Sequence, residues 1–383
     1  MASKQKFGVN LGRAILVLGT LCGAALAGEA TAADQQARAV LERIGTGKGV
    51  AVVLGLPSSG EPAFVIDLAN GSELAIYFQS PSAEDVAAVR KAADAEHLLG
   101  RRVFVDRGDF GSIHLADNLA GAVIVADPAG TMPGEQEILR VLHPEGKAIL
   151  GAREIVKPFP QGIDAWSHPY HGPDNNPQST DQLARAPYLT QFLAEPMFCP
   201  MPEVSVAAGG RVFRAFGHIA HKANQNRWLN TLVAVNGYNG TILWQRKLKE
   251  GFMIHRNTMI ATPELLYLAD DVSCKRLDAR TGRLKDEITL PESLADGPVW
   301  KWMALEDGVL YALIGGPEIK PPTQRSATPG MGIGPGACGP ATTTRPRKRT
   351  SASAARWWPS IPAPRRSSGA TARTTTWTAA GCA

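Results

Sequence analysis

Between residues 34 and 155 short apolar runs alternate with amphipathic stretches; from residue 204 the apolar runs continue without helical spacing between them. In the first region "GVAVVLGL" (49–56) and "ELAIYFQS" (73–80) read as strands. The stretch "SAEDVAAVRKAADAEHLLG" (82–100) sets Val86, Val89, Ala93 and Leu98 on one face with charges between them, which predicts a helix. "RRVFVDRGD" (101–109) and "GAVIVAD" (121–127) are further β-branched runs. "GEQEILRVLHPEG" (134–146) predicts a helix ending at a Pro-Glu-Gly turn, followed by the strand "KAIL" (147–150). Alternation of this kind predicts a doubly wound, Rossmann-like α/β sheet.

The second region repeats. "RVFRAFGH" (211–218), "ELLYLADD" (264–271) and "GVLYALIGG" (308–316) each join a turn to an aromatic-bearing strand. Tyr267 recurs as Tyr311 and Gly240 as Gly282, at a spacing of about 40–45 residues, the length of a four-stranded propeller blade. "YNGT" and "RTGR" place a glycine where a hairpin needs a left-handed residue. The region holds only two to three such units, which predicts a partial all-β propeller.

Charge belongs mostly to one end. The chain has 383 residues, 40 Lys/Arg and 35 Asp/Glu; ten of the basic residues and none of the acidic ones lie beyond Glu318. The rest of the chain is therefore mildly acidic, and a nucleic-acid partner is not expected. Residues 327–383 lack acids and aliphatic periodicity and read as a disordered tail or a shifted reading frame. At the other end, Lys4, Lys6 and Arg13 precede "AILVLGTLCGAALAG" (14–28) and small-residue cleavage sites, so residues 1–32 read as a signal peptide. The expected location is periplasmic or secreted, with no membrane span once the signal is removed. Cys199 and Cys274 could form a bridge in such a compartment, though spacing does not establish one.

Two resemblances arise from these motifs. Residues 34–155, through "VAVVLGLPSSGE", "GDF" (108–110) and "HPEG" (143–146), resemble a class I S-adenosylmethionine methyltransferase domain. The resemblance implies cofactor contacts at Gly55, Gly60, Asp109 and Phe110. Gln79 and Ser80 stand where that family carries its ribose-binding carboxylate, and "LPSS" replaces a glycine-rich turn, so the domain reads as degenerate and its S-adenosylmethionine site as vestigial. Residues 204–326, through "AVNGYNGTILW" and "RLDARTGRL", resemble pyrroloquinoline-quinone-like propeller repeats, in which Trp244 would dock between blades. No vicinal cysteines occur, and pyrroloquinoline quinone itself is not expected.

The connector, residues 156–203, carries "DAWSHPYHGPDNNPQSTD" (164–181). It resembles a signature between methyltransferase-like and propeller domains in exported proteins of planctomycete-type bacteria. His168, His171 and Asp174 are its candidate metal ligands, although Pro169, Pro173 and Pro177 deny it a helix. The reading that follows is an exported binding or scaffold protein whose propeller meets protein or envelope partners. The enzymatic alternatives are an S-adenosylmethionine-dependent methyltransferase and a quinone- or metal-dependent oxidoreductase.

Overall fold

A computed structural model describes residues 31–127, 130, 132–187, 190–250, 257–290, 297–317 and 321–330. All belong to the first of two compact units; the second, residues 339–383, lies outside the described residues. So do the predicted signal peptide up to residue 30 and the tail beyond residue 330.

The first region is a six-stranded sheet: β1 Lys48–Leu54, β2 Glu73–Ser80, β3 Val103–Arg107, β4 Ala120–Val125, β5 Leu142–Leu150 and β6 Arg153–Val156. Its strand order is β3-β2-β1-β4-β5-β6, parallel throughout except for the antiparallel edge strand β6. Helices α1 Ala32–Ile44, α2 Ala63–Asn70 and α3 Ala83–Ala95 contribute to the apolar core on one face, and α4 Glu135–Val141 to that on the other. Strand β1 shows why its run is continuously apolar: Ala51 and Val53 enter one core, Val52 and Leu54 the other.

Local chemistry starts and stops the helices. The Thr31 hydroxyl accepts the Asp34 N–H at 3.1 Å to open α1, and Ser82 does the same for Asp85 at 3.1 Å in α3. On α3 the buried residues are Val86, Val89 and Ala93, the face that periodicity assigns.

The expected order at "HPEG" is corrected. Helix α4 ends at Val141 and β5 begins at once with Leu142, paired to Ala120. The register then jumps so that Ala122 pairs with Lys147, and residues 143–146 form a bulge with Glu145 at φ 66°. Pro-Glu-Gly is a bulge within a strand, not a turn before one.

Three antiparallel sheets follow. The first is a meander of β7 Met201–Ala208, β8 Arg211–Ile219, β9 Thr231–Asn236 and β10 Ile242–Lys247. The second is β11 Met259–Ala261, β12 Leu265–Ala269, β13 Cys274–Asp278 and β14 Leu284–Ile288; the third is the hairpin β15 Val299–Glu306 and β16 Val309–Gly315. The opening strand β11 lies beside both β7 and β15. No closed ring of sheets is present among the described residues. A shared core of Phe213, Leu232, Trp244, Leu266 and Leu277 joins the first two meanders. The hairpin glycines Gly240 and Gly282 take φ of 72° and 68°. Cys199 and Cys274 are both free and buried in separate apolar clusters, so they form no bridge.

Candidate functional site

In an open α/β sheet ligands bind at the carboxyl ends of the strands. Here that edge is partly occupied by the chain itself. Gln79, at the end of β2, is fully buried. Its Nε2 donates to the carbonyls of Asp109 (2.5 Å) and Ser112 (2.9 Å), and its Oε1 accepts the His114 N–H at 3.0 Å. All of its amide hydrogen-bonding directions but one are thereby spent on the loop after β3. Arg140 holds the same loop from α4, donating to the carbonyls of Ile113 and Leu115 at 2.8 Å each, while Glu137 accepts the Ile113 N–H at 2.6 Å. Ile113 is driven into the core as a result.

The expected cofactor residues fall on this edge with unequal roles. Gly55 closes β1 at φ 72°, and a Cβ there would stand 3.5 Å from the Phe110 ring. Phe110 therefore packs beside the glycine at ordinary contact distance, and the left-handed φ, not crowding, is what favours glycine there. Asp109 is exposed and turns its Oδ1 onto the Gly111 N–H at 2.8 Å, capping its own turn. Gly60 closes a turn by donating its N–H to the Pro57 carbonyl at 2.7 Å and has nothing within 4 Å of its Cβ direction. Ser80 donates to Asp85 at 2.8 Å. Nearby, Asp106 accepts from Tyr77 (3.2 Å) and contacts His114 Nδ1 (2.9 Å); the His114 contact first, then the Arg107 N–H, lowers its carboxyl below the ordinary range.

A crevice of about 600 Å³ remains at the switch point between β1 and β4. Pro57, Ser58 and Ser59 form one wall, Val125 and Ala126 another, and α1 the third.

The connector forms a tight hairpin. His168 and His171 exchange two backbone hydrogen bonds of 3.1 Å each around Pro169 and Tyr170. His168 is buried; its Nε2 accepts the Leu305 N–H at 3.1 Å, which leaves Nδ1 as the donor to Ser167 Oγ at 2.8 Å. His171 Nε2 meets Asp164 Oδ2 at 2.8 Å, and exposed Asp174 accepts the Asn176 N–H at 3.2 Å, within its own turn. Among the described residues no group of three or more His, Cys, Asp or Glu side chains is placed to hold a metal ion.

This hairpin stitches three sheets together. Trp166 pairs with Ala207 of β7 through bonds of 2.9 and 2.7 Å, Ser167 O accepts the Ala261 N–H of β11, and His168 reaches β15. Those are the opening strands of all three antiparallel sheets. Burial alone would raise the Asp164 carboxyl, but hydrogen bonds from Thr180 N–H, Ser179, His171 and Ala165 N–H bring it down to about 2. Stability from this carboxylate is therefore present above about pH 4 and lost as the pH falls toward its folded value.

Burial lowers His168 below its ordinary 6.5, and likewise His143 of the β5 bulge. The unfolded chain then binds protons first on acidification, so stability declines below about pH 6.5 and is unaffected by these groups above about pH 7.5. Thermal unfolding across that window should show a falling melting temperature toward about pH 5; a flat profile would contradict the neutral state of both rings.

Residues missed in the sequence lie at the opposite edge of the sheet. Asn236 Oδ1 accepts the Tyr238 N–H at 2.9 Å, which turns its Nδ2 toward His143 Nε2 at 3.1 Å. His143 and Tyr238 stack with ring centroids 5.6 Å apart and planes 7° from parallel. In the sequence, Asn236 of "AVNGYNG" stands where the next repeat, "RLDARTG", has Asp278, and that exchange is the local signal of this contact.

No protein-family model matches this chain, and no curated protein matches it. Solved structures resemble part of it. A Methanococcus maripaludis protein described as an S-adenosyl-L-methionine-dependent methyltransferase is 24% identical, over 30% of this chain and 52% of its own, with a TM-score of 0.26. A Galdieria sulphuraria protein described as a sarcosine dimethylglycine methyltransferase is 20% identical over 30% and 44%, with a TM-score of 0.27. An S-adenosylmethionine-dependent methyltransferase of Aquifex aeolicus is 18% identical over 29% and 61%, with a TM-score of 0.25. The chain thus spans about half the length of the structures it matches. Strand order and two-sided helix packing, not these overlaps, define the Rossmann-like fold.

Proposed function

We propose that the chain is a binding or scaffold protein of the cell envelope, in which a non-catalytic methyltransferase-like domain supports the opening blades of a β-propeller. The hydrogen bonding of Gln79 carries this reading. A ribose-binding site needs a free acceptor at the end of β2; Gln79 is buried and its amide is spent on the chain's own loop. Support for the propeller comes from the sequential order of both meanders, from the side-by-side opening strands and from Trp244 lodged between the first two sheets.

One observation favours a methyltransferase as the second reading: the crevice at the switch point lies where the reacting end of a methyl donor would sit in such a domain. Calorimetric titration with S-adenosylmethionine separates the two. No saturable heat is expected at micromolar donor; micromolar binding would overturn the non-catalytic reading.

A further inference from the structure

A cleft of about 970 Å³ opens at the amino ends of β1 and β2, where the α/β sheet meets the hairpin turns of the first two antiparallel sheets. Five cations line it, Lys48, Lys147, Arg211, Arg280 and Arg283, against two carboxylates, Glu73 and Glu145. Lys48 and Glu73 pair with each other at 3.3 Å. Glu145, raised on the β5 bulge, is shared by Arg211 (3.2 Å) and Arg280 (3.1 Å). One carboxylate therefore serves two guanidinium groups. Lys147 donates only to the Arg43 carbonyl at 3.0 Å, and Arg283 has no carboxylate partner among the described residues. Arg211 is 8% exposed; its Nη1 and Nη2 already serve Glu145 and the Pro263 carbonyl, and its Nε is closed off from solvent with no hydrogen-bond partner among the described residues. One carboxylate shared by two guanidinium groups, beside two cations without a carboxylate, leaves an excess of positive charge that an anion would complete.

An uncharged aromatic pair also lines the cleft. His143 donates from Nδ1 to the Pro144 carbonyl at 2.7 Å and accepts from Asn236 at Nε2, so its ring is neutral, and Tyr238 stacks on it. Such a pair suits a sugar or other ring, while the excess of cations matches a doubly charged group.

We propose that this cleft binds a small phosphate monoester, its phosphate held by Arg211, Arg280, Arg283 and Lys147 and its organic part against the His143–Tyr238 pair. Glu145 is the competing anion that the phosphate displaces from Arg280, whose side chain is 66% exposed and free to swing. The site does not depend on what happens at the carboxyl edge of the sheet, so S-adenosylmethionine binding there would leave it standing.

Calorimetric titration of the full chain with glucose 6-phosphate tests it, with glucose, inorganic phosphate and glucuronate as the other arms. Glucose 6-phosphate should bind saturably in the millimolar range or tighter, and more tightly than the three comparison compounds. Exposed Arg283→Gln should weaken it at least tenfold without changing the melting temperature. Glu145→Gln should strengthen it severalfold, a gain that damage to the fold would not produce. No saturable binding, equal affinity for glucuronate, or affinities unmoved by both substitutions would overturn the proposal.

Discussion

Trp244→Ala lowers the stability of this chain by about 3–5 kcal/mol, the cost of removing a large buried aromatic from a core that closes only partly behind it. Trp244 is 8% exposed and belongs to the core shared by the first two meanders. Its Nε1 donates to the Ala279 carbonyl at 3.0 Å, and its ring lies 5.9 Å from that of Phe213. Deleting it leaves a void and an unpaired carbonyl together. Gly282 approaches the same indole from the second sheet: a Cβ there would lie 2.6 Å from the ring, at a φ of 68°. Gly282→Ala should therefore also destabilise, by collision and backbone strain. Denaturant unfolding of both variants measures the effect, and a loss under about 1 kcal/mol for Trp244→Ala would mean that the two sheets do not depend on this contact.

Gln79→Leu is the second large effect, at about 2–4 kcal/mol. The substitution preserves bulk but strips partners from the Asp109 and Ser112 carbonyls and the His114 N–H. The loop after β3 should loosen while the sheet persists, because β2 stays paired on both sides. Denaturant unfolding reads the loss; an unchanged midpoint would show that the loop is held by Arg140 and Glu137 alone.

Much of the fold was legible because local pattern and tertiary environment agree. The β-branched runs alternate between two cores, the α3 face is spaced at helical period, and the hairpin glycines sit where a left-handed residue is required. The prolines of the connector correctly excluded a helix, and the structure shows a two-residue hairpin there. Helix α2 escaped because Phe64, Val65, Ile66, Leu68 and Ala69 are all buried, so no polar face marks its period, and Pro62 offers no side-chain cap. The β5 bulge escaped because its register is set by Ala120 and Ala122, more than twenty residues away.

The sites were less legible than the fold. The resemblance offered Gly55 and Phe110 as cofactor contacts, and only the structure shows them packed on each other; nor could identity show Gln79 turned inward, since a glutamine at a strand end is equally compatible with binding a ligand. The histidines of the connector suggested a metal, yet their ring nitrogens serve Leu305, Ser167 and Asp164. The cationic cleft draws on residues from Ile44 to Arg283, and only folding brings them together.

Amide exchange across residues 109–115, measured in the native chain with and without S-adenosylmethionine, tests most directly whether the carboxyl edge is closed by the protein's own loop. Slow exchange is expected at Ile113 and His114, whose N–H groups are held by Glu137 and Gln79, with no change when the methyl donor is added. Fast exchange at both positions, or new protection on addition of the donor, would contradict it.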